Sequence, residues 1–308
     1  MKLSTVQNKS NIRSLGIVCD NFFIDLNKVS NFQIPSDINL FLNNFDKNYL
    51  LAKQLLLNDH KIPLSDLEIL SPIPKPNSLR DAYAFRQHVK VGRENRGLEM
   101  IPEYDQFPVF YYCNHNSVTG PGEVLIEKDQ LVKLDFELEI AAIIGKKGKN
   151  IKVNEADNYI AGYTIMNDLS ARKLQMEEMK LNLGPAKGKD FSTIIGPYIV
   201  TKDELSDHLI NTNNGAKYDM TMKAYLNGEL ISEDNFKNIT WTFSQIVSRI
   251  SQGVEIYPGD VIGSGTCATG CLLELNLVNS TNIWLKDKDE IKLEVEGLGC
   301  LINNIKAI

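Results

Sequence analysis

The chain has 308 residues, 43% hydrophobic and 23% charged, which is the balance of a soluble globular protein of one large domain, or one large and one small, able to bury a full core. Lys and Arg number 33 against 39 Asp and Glu, a formal charge of -6 with no dense basic patch interleaved with aromatics, so nucleic acid is excluded as an expected partner. No run approaches the apolar length of a membrane span and MKLSTVQNKSNIRSLG lacks a signal-peptide core, so a cytoplasmic protein without a membrane partner is expected.

Residues 1–75 read as a small N-terminal α/β domain. LGIVCDNFFIDLN predicts short strands, and a helix capped by Ser36 would carry Ile38, Phe41, Leu42, Phe45, Tyr49 and Ala52 at helical spacing. SPIPKPN, residues 71–77, resists helix and donates few backbone hydrogen bonds, so the boundary with a larger domain of residues 76–308 is placed there. SLRDAYAFRQHVKVGRENRG predicts a helix from a Ser78 cap to a Gly97 stop, with Asp81 and His88 on roughly one face. After Gly120 the pattern is mostly strand, broken by helices near 169–182 and 241–252, the second stopped by Gly253; YLNGEL, residues 225–230, predicts an Asn-Gly hairpin. The fold class is α+β, a strand-dominated body with helices at its edges. Five cysteines without a framework rhythm predict reduced thiols, and CATGC, residues 267–271, lacks the second Cys/His pair of a structural zinc site.

LDFELEIAAIIG, residues 134–145, puts Asp135, Glu137 and Glu139 on one face of a strand. Either that face is solvated or, since IAAII continues without polar alternation, the strand is covered on both sides and a hard divalent cation neutralises the acids. In GYTIMNDLSARKLQ, residues 162–175, Asp168, Arg172 and Gln175 fall at i, i+4 and i+7 and can share a helix face, although Asp168 could equally be an N-cap. LGPAKGKDFST, residues 183–193, is Gly-rich and basic but fails the phosphate-loop template: the glycine spacing is one residue short and Asp190 replaces the hydroxyl residue. What remains is a loop able to bring Lys189 to a ligand. Of four histidines, His88 would need an orienting acid to act as a base, and spacing does not reveal which acid that is.

DAYAFRQH (81–88), LDFELE (134–139), MNDLSARKLQ (166–175), LGPAKGKDF (183–191), GDVIGSGT (259–266) and Glu274 together resemble the fumarylacetoacetate hydrolase family, in the family's order and over most of the chain beyond the linker. The resemblance implies a mixed β-roll catalytic domain, normally a homodimer, preceded here by the small N-terminal domain. It implies Asp81, Glu137, Glu139 and Asp168 as ligands of a divalent metal, Mg2+ or Ca2+ with Mn2+ also compatible. Glu137 and Glu139 would hold the cation between them, while Asp135 is structural. His88 matches the general base and Glu274 the acid that orients it. Arg172, Gln175 and Lys189 match donors to the oxyanion and departing carbanion, Thr193 an outer residue near the metal, and Tyr83, Tyr111 and Thr266 substrate contacts. Gly97 and Met179 depart from a substrate-binding Arg and Tyr of fumarylacetoacetase. The implied activity is hydrolytic carbon–carbon cleavage of a 1,3-diketo acid, fumarylacetoacetate to fumarate and acetoacetate, in tyrosine catabolism. Its alternatives are acylpyruvate hydrolysis, oxaloacetate decarboxylation, and dehydration or isomerisation of a 2-keto acid. A noncatalytic metal-dependent binding protein is a further alternative, which the intact residue set weighs against.

Overall fold

A computed structural model describes every residue except 95 and 183; Leu183, which opens the LGPAKGKDF motif, thus lies outside the described residues, as does Asn95. The chain begins with strands β1 (Lys2–Gln7), β2 (Arg13–Cys19) and β3 (Phe22–Asp25), then helices α1 (Ile38–Asn43) and α2 (Phe45–Gln54). There follow β4 (Ser78–Ala82), α3 (Arg86–Glu94), β5 (Phe110–Cys113), β6 (Gly122–Ile126), β7 (Leu134–Asp135), β8 (Leu138–Ile144) and β9 (Ile160–Asp168). Beyond these lie α4 (Arg172–Met179), β10 (Thr193–Thr201), β11 (Thr221–Leu226), β12 (Glu229–Asn235) and α5 (Phe243–Ile250). The chain ends with β13 (Asp260–Gly263), α6 (Leu272–Asn279), β14 (Glu290–Val295) and β15 (Gly299–Ala307).

The main path of a 12-stranded sheet runs β3-β2-β1-β10-β9-β8-β13-β4-β5, antiparallel except where β13 meets β4. A five-stranded sheet, β12-β11-β14-β15-β6, packs against it. Every residue of β8 and β9 is buried, which is why their sequences lack polar alternation. Ile140, Ala142 and Ile144 join Met222, Leu293 and Leu301 of the second sheet and Ile246 and Val247 of α5. Ala141 and Ile143 face the opposite way, into a core with Leu3, Leu15, Ile17, Phe41 and Leu42. Each of the Leu, Ile, Phe and Met side chains among them contributes about 1.5–3 kcal/mol by burial, and the first 75 residues both roof the central strands and share their sheet. The proline-rich segment is non-helical but pinned, with Ile73 fully buried and Pro72 accepting a 3.0 Å hydrogen bond from Thr5.

Several local expectations are corrected. The first long helix is capped by Asp37 rather than Ser36, its carboxylate accepting from Leu40 N–H at 3.0 Å, and it is broken at Asn44 into α1 and α2. The predicted helix over 78–97 is a strand as far as Ala82 and a helix only from Arg86, because Ser78–Ala82 fills the gap between β13 and β5; pairing with distant strands overrides local preference. Asp168 ends strand β9, so it neither caps α4, which starts after Ala171, nor shares a helix with Arg172 and Gln175. The hairpin forms at Asn227-Gly228, whose φ values of 52° and 84° suit the turn that matches strand twist. Thr242 caps α5 in a capping box with Gln245. All five cysteines are free, and among the described residues no helix is long and apolar enough to cross a membrane.

Candidate active site

Strand register assembles the site. Asp81 lies opposite Gly263 on one side and Tyr111 on the other; Gly263 lies opposite Ala141, two residues from Glu139; and Glu139 lies opposite Met166, two residues from Asp168. Side chains two apart share a face, so Asp81, Glu139 and Asp168 converge across four adjacent strands. One carboxylate oxygen from each lies within 4.8 Å of the other two, and the residues are 3%, 0% and 0% exposed. The solvated-face reading of the acidic strand therefore fails. Burial, reinforced by Asp168, pushes the Asp81 carboxyl up to about 7, and burial with Asp81 and Glu137 nearby pushes Glu139 well above the usual range. Among the described residues, Glu139 Oε2 and Asp168 Oδ1 have no hydrogen-bond partner. Three buried acids with two orphan oxygens fit an oxygen-liganded dication, which would satisfy both. Adding Mg2+ or Mn2+ at about 100 times its dissociation constant should stabilise the protein by about 2.7 kcal/mol, read as a thermal shift of about 5 °C that chelator reverses. An unchanged melting temperature would count against the site.

Gly263 makes the cluster possible. A Cβ there would sit 2.3 Å from Asp81 Oδ1, 2.4 Å from Met166 Cε and 3.0 Å from Glu139 Oε2. Gly263→Ala should displace the carboxylates by a fraction of an ångström to an ångström and cost about 100-fold in activity, with weaker metal binding by calorimetry. Wild-type metal affinity in that variant would contradict the packing argument.

Glu137 is held by two cationic side chains. It lies between β7 and β8, where the strand is interrupted, and its carboxylate turns from the acid cluster to Arg172 Nη2, 2.7 Å from Oε1, and to the Lys189 ammonium on Oε2. The oxygen cluster thus unites Asp81, Glu139 and Asp168, and Glu137 adjoins it through Lys189, whose ammonium contacts both Glu137 and Asp168. Burial would raise Glu137, but Lys189 and Arg172 outweigh it and hold its carboxyl well below the usual range. Lys189 also donates to Asp168 Oδ2 at 2.8 Å, and although burial opposes its charge, Asp168 and Glu137 hold it above the ordinary lysine range. Its loop packs so closely on α4 that a Cβ at Gly188 would lie 2.6 Å from Gln175 Cβ.

His88 on α3 and Glu274 in the first turn of α6 meet at 3.0 Å, Nδ1 to Oε2, both buried. The two expected partners are therefore joined, although Asp81 stands on a strand and not on the helix of His88. Tyr83 packs edge-on against His88 at 5.7 Å, and burial raises its hydroxyl to about 12. Arg172 Nη1 donates to Gln175 Oε1 at 2.9 Å. Tyr111 turns its hydroxyl onto Asp168 Oδ2, Thr266 Oγ1 lies 3.4 Å from Glu139 Oε1, and buried Thr193 pairs with Asp168 across the sheet. Gly97 sits in an exposed turn, Met179 ends α4, and Arg96, in the turn beyond α3, donates to the Gly92 carbonyl of that helix.

Asp135 has more partners than a structural label suggested. Its carboxylate accepts from Leu272 N–H at 2.7 Å, Leu273 N–H at 3.0 Å and Arg172 Nε at 2.8 Å, tying the start of α6 to the base of α4. Asn167, also passed over, accepts from Glu137 N–H at 3.0 Å. No local signal marks either role, since the partners are remote in sequence.

Comparison with known proteins places this constellation. The family profile described as Fumarylacetoacetate (FAA) hydrolase C-terminal matches residues 78–306. The chain belongs to the fumarylacetoacetate hydrolase family. That match contains every site residue named above. The chain is 31% identical over 304 residues to the Fumarylacetoacetate hydrolase domain-containing protein 2 homolog of Dictyostelium discoideum, covering 96% of this chain and 93% of that protein. It is 32% identical to Fumarylacetoacetase of Oryza sativa subsp. japonica, over 80% of this chain and 70% of that one. To Oxaloacetate tautomerase Fahd2a, mitochondrial, of Rattus norvegicus it is 29% identical, over 83% and 73%. Among solved structures, fumarylacetoacetate hydrolase from psychrophilic Exiguobacterium antarcticum shares the fold with a TM-score of 0.75 at 24% identity, covering 100% of both chains. Maleylpyruvate hydrolase from Sphingobium sp. SYK-6 in complex with manganese (II) ion and pyruvate shares it with a TM-score of 0.75 at 18% identity, covering 100% of this chain and 99% of that one. The α+β fold class expected from the sequence is the fold of these structures.

Proposed function

We propose that this fumarylacetoacetate hydrolase family enzyme cleaves a carbon–carbon bond of a 1,3-diketo acid with water, fumarylacetoacetate to fumarate and acetoacetate being the leading substrate. The observation that supports this reading is the buried His88–Glu274 pair at 3.0 Å, a base with its orienting acid in place. With Nδ1–H donated to Glu274, the second ring nitrogen of His88 is left to take a proton from water. Asp81, Glu139 and Asp168 would hold the divalent cation, Mg2+, Ca2+ or Mn2+, with Glu137 beside them. A bound cation supplies Lewis-acid polarisation of a carbonyl oxygen. Arg172 occupies the Gln175 carbonyl, so the Gln175 amide N–H groups are free to donate to an oxyanion, and Lys189 presents a retained positive charge where carbanion character develops. Tyr83, Tyr111 and Thr266 wall the substrate space, and Thr193 backs Asp168. A cytoplasmic homodimer serving tyrosine catabolism is part of the same proposal.

A second reading, interconversion of oxaloacetate tautomers, is favoured by the rat relative so named. It needs proton transfer without water attack, and the acid cluster serves both reactions equally. Purified protein with Mg2+ or Mn2+ should therefore be given fumarylacetoacetate, acetylpyruvate and oxaloacetate, with products identified by mass. Cleavage of a diketo acid into two acids, abolished by chelator, supports the hydrolase reading. Loss of the oxaloacetate enol absorbance without change in mass, and no cleavage, would replace it with the tautomerase.

A further inference from the structure

We infer that His88, Cys271 and Glu274 form a second cation site, one for a thiophilic dication such as Zn2+, whose occupation removes His88 from catalysis. One ligand atom from each of the three residues lies within 4.8 Å of the others, and the residues are 9%, 0% and 2% exposed. Glu274 spends only Oε2 on His88; its buried Oε1 has no partner among the described residues. The Cys271 thiol is held over the same turn, accepting from Glu274 N–H at 3.4 Å as the N-cap of α6. Capping does not require sulfur there, since Ser is the stronger cap.

Sulfur, imidazole nitrogen and one carboxylate oxygen make a mixed donor set that zinc takes at about 2.0–2.3 Å per bond, with three protein ligands and a fourth position open. Tetrahedral bonds of that length place ligand atoms about 3.3–3.8 Å apart, so the present separations close with small rotations. The all-oxygen cluster of Asp81, Glu139 and Asp168 suits hard cations instead, and the two sites differ in chemistry as well as in residues. CATGC, which lacks a local partner pair, finds its partners through the fold: α3 brings His88 against α6. Binding exchanges the thiol proton for the Zn–S bond, Cys–SH plus Zn2+ giving Cys–S–Zn+ and a proton released to buffer, with no change of oxidation state.

The inhibitory consequence rests on the proposed role of His88; the binding does not. Co2+ is the spectroscopic probe, added to the whole protein in the presence of saturating Mg2+. Wild type should show a thiolate-to-cobalt charge-transfer band in the near ultraviolet at one equivalent, absent in Cys271→Ser, which keeps a competent helix cap. Zinc affinity by calorimetry should fall about 100-fold or more in that variant, since even outer-shell losses cost 10- to 100-fold, and Mg2+-supported turnover should become resistant to zinc. Cobalt bound without the sulfur band, or unchanged zinc affinity in Cys271→Ser, overturns the inference. The cobalt spectrum is read without substrate, so failure of the hydrolase reading leaves it intact, and failure of the spectrum leaves that reading intact.

Discussion

Substituting Ala for His88 will lower turnover by about 100- to 10,000-fold, the usual contribution of a positioned general base, while leaving Mg2+ affinity by calorimetry unchanged. The separation of effects follows from geometry: His88 is paired with Glu274 and is absent from the Asp81–Glu139–Asp168 oxygen cluster. Removing the imidazole leaves Glu274 buried and unpaired, so a modest fall in stability will accompany the loss. Glu274→Gln provides the graded control, because an amide oxygen can still accept from Nδ1–H while the negative charge that favours the imidazolium is gone. Its turnover should fall less than that of the alanine variant. Near-normal hydrolysis by His88→Ala would remove the base from the mechanism and shift weight to the tautomerase reading.

Asp135→Ala should destabilise the protein by about 3–5 kcal/mol, the cost of breaking a buried ion pair from one side, seen as a lowered denaturant midpoint at unchanged slope. Three donors lose their acceptor at once: the Leu272 and Leu273 N–H groups and Arg172 Nε. Arg172 retains Glu137, which places the expected cost nearer the lower end of the range. Asp135→Asn keeps the shape and one acceptor oxygen and should lose less. Because α6 carries Glu274 and α4 carries Gln175, residual folded protein should also show reduced turnover with little change in metal affinity. A loss below about 1 kcal/mol, the scale of one ordinary hydrogen bond, would mean that the brace contributes no more than a surface contact.

These cases mark where sequence reading stops. Acids at alternate positions followed by IAAII left a solvated face and a strand covered on both sides as alternatives, and the burial of β8 throughout decides for the second. The direction of each carboxylate was not legible, because the interruption between β7 and β8 lets Glu137 turn toward Arg172 and Lys189 while Glu139 stays in the acid cluster. The helix predicted over 78–97 failed for a related reason. Local composition permits a helix at Ser78–Ala82, but β13 and β5 offer those residues backbone partners on both edges.

The sequence by itself determined the mixed α+β class, the hairpin at Asn227-Gly228, a helix near 241–252 and the motif residues of the family, since turn chemistry, periodicity and motif spacing are local. Only the tertiary structure decided that Asp81 belongs to a strand, that Asp135 binds α6 to Arg172, and that Cys271 lies beside His88 and Glu274. Those contacts join residues far apart in the chain, and a buried charge or thiol takes its chemistry from whichever partners the sheet register and helix packing bring to it.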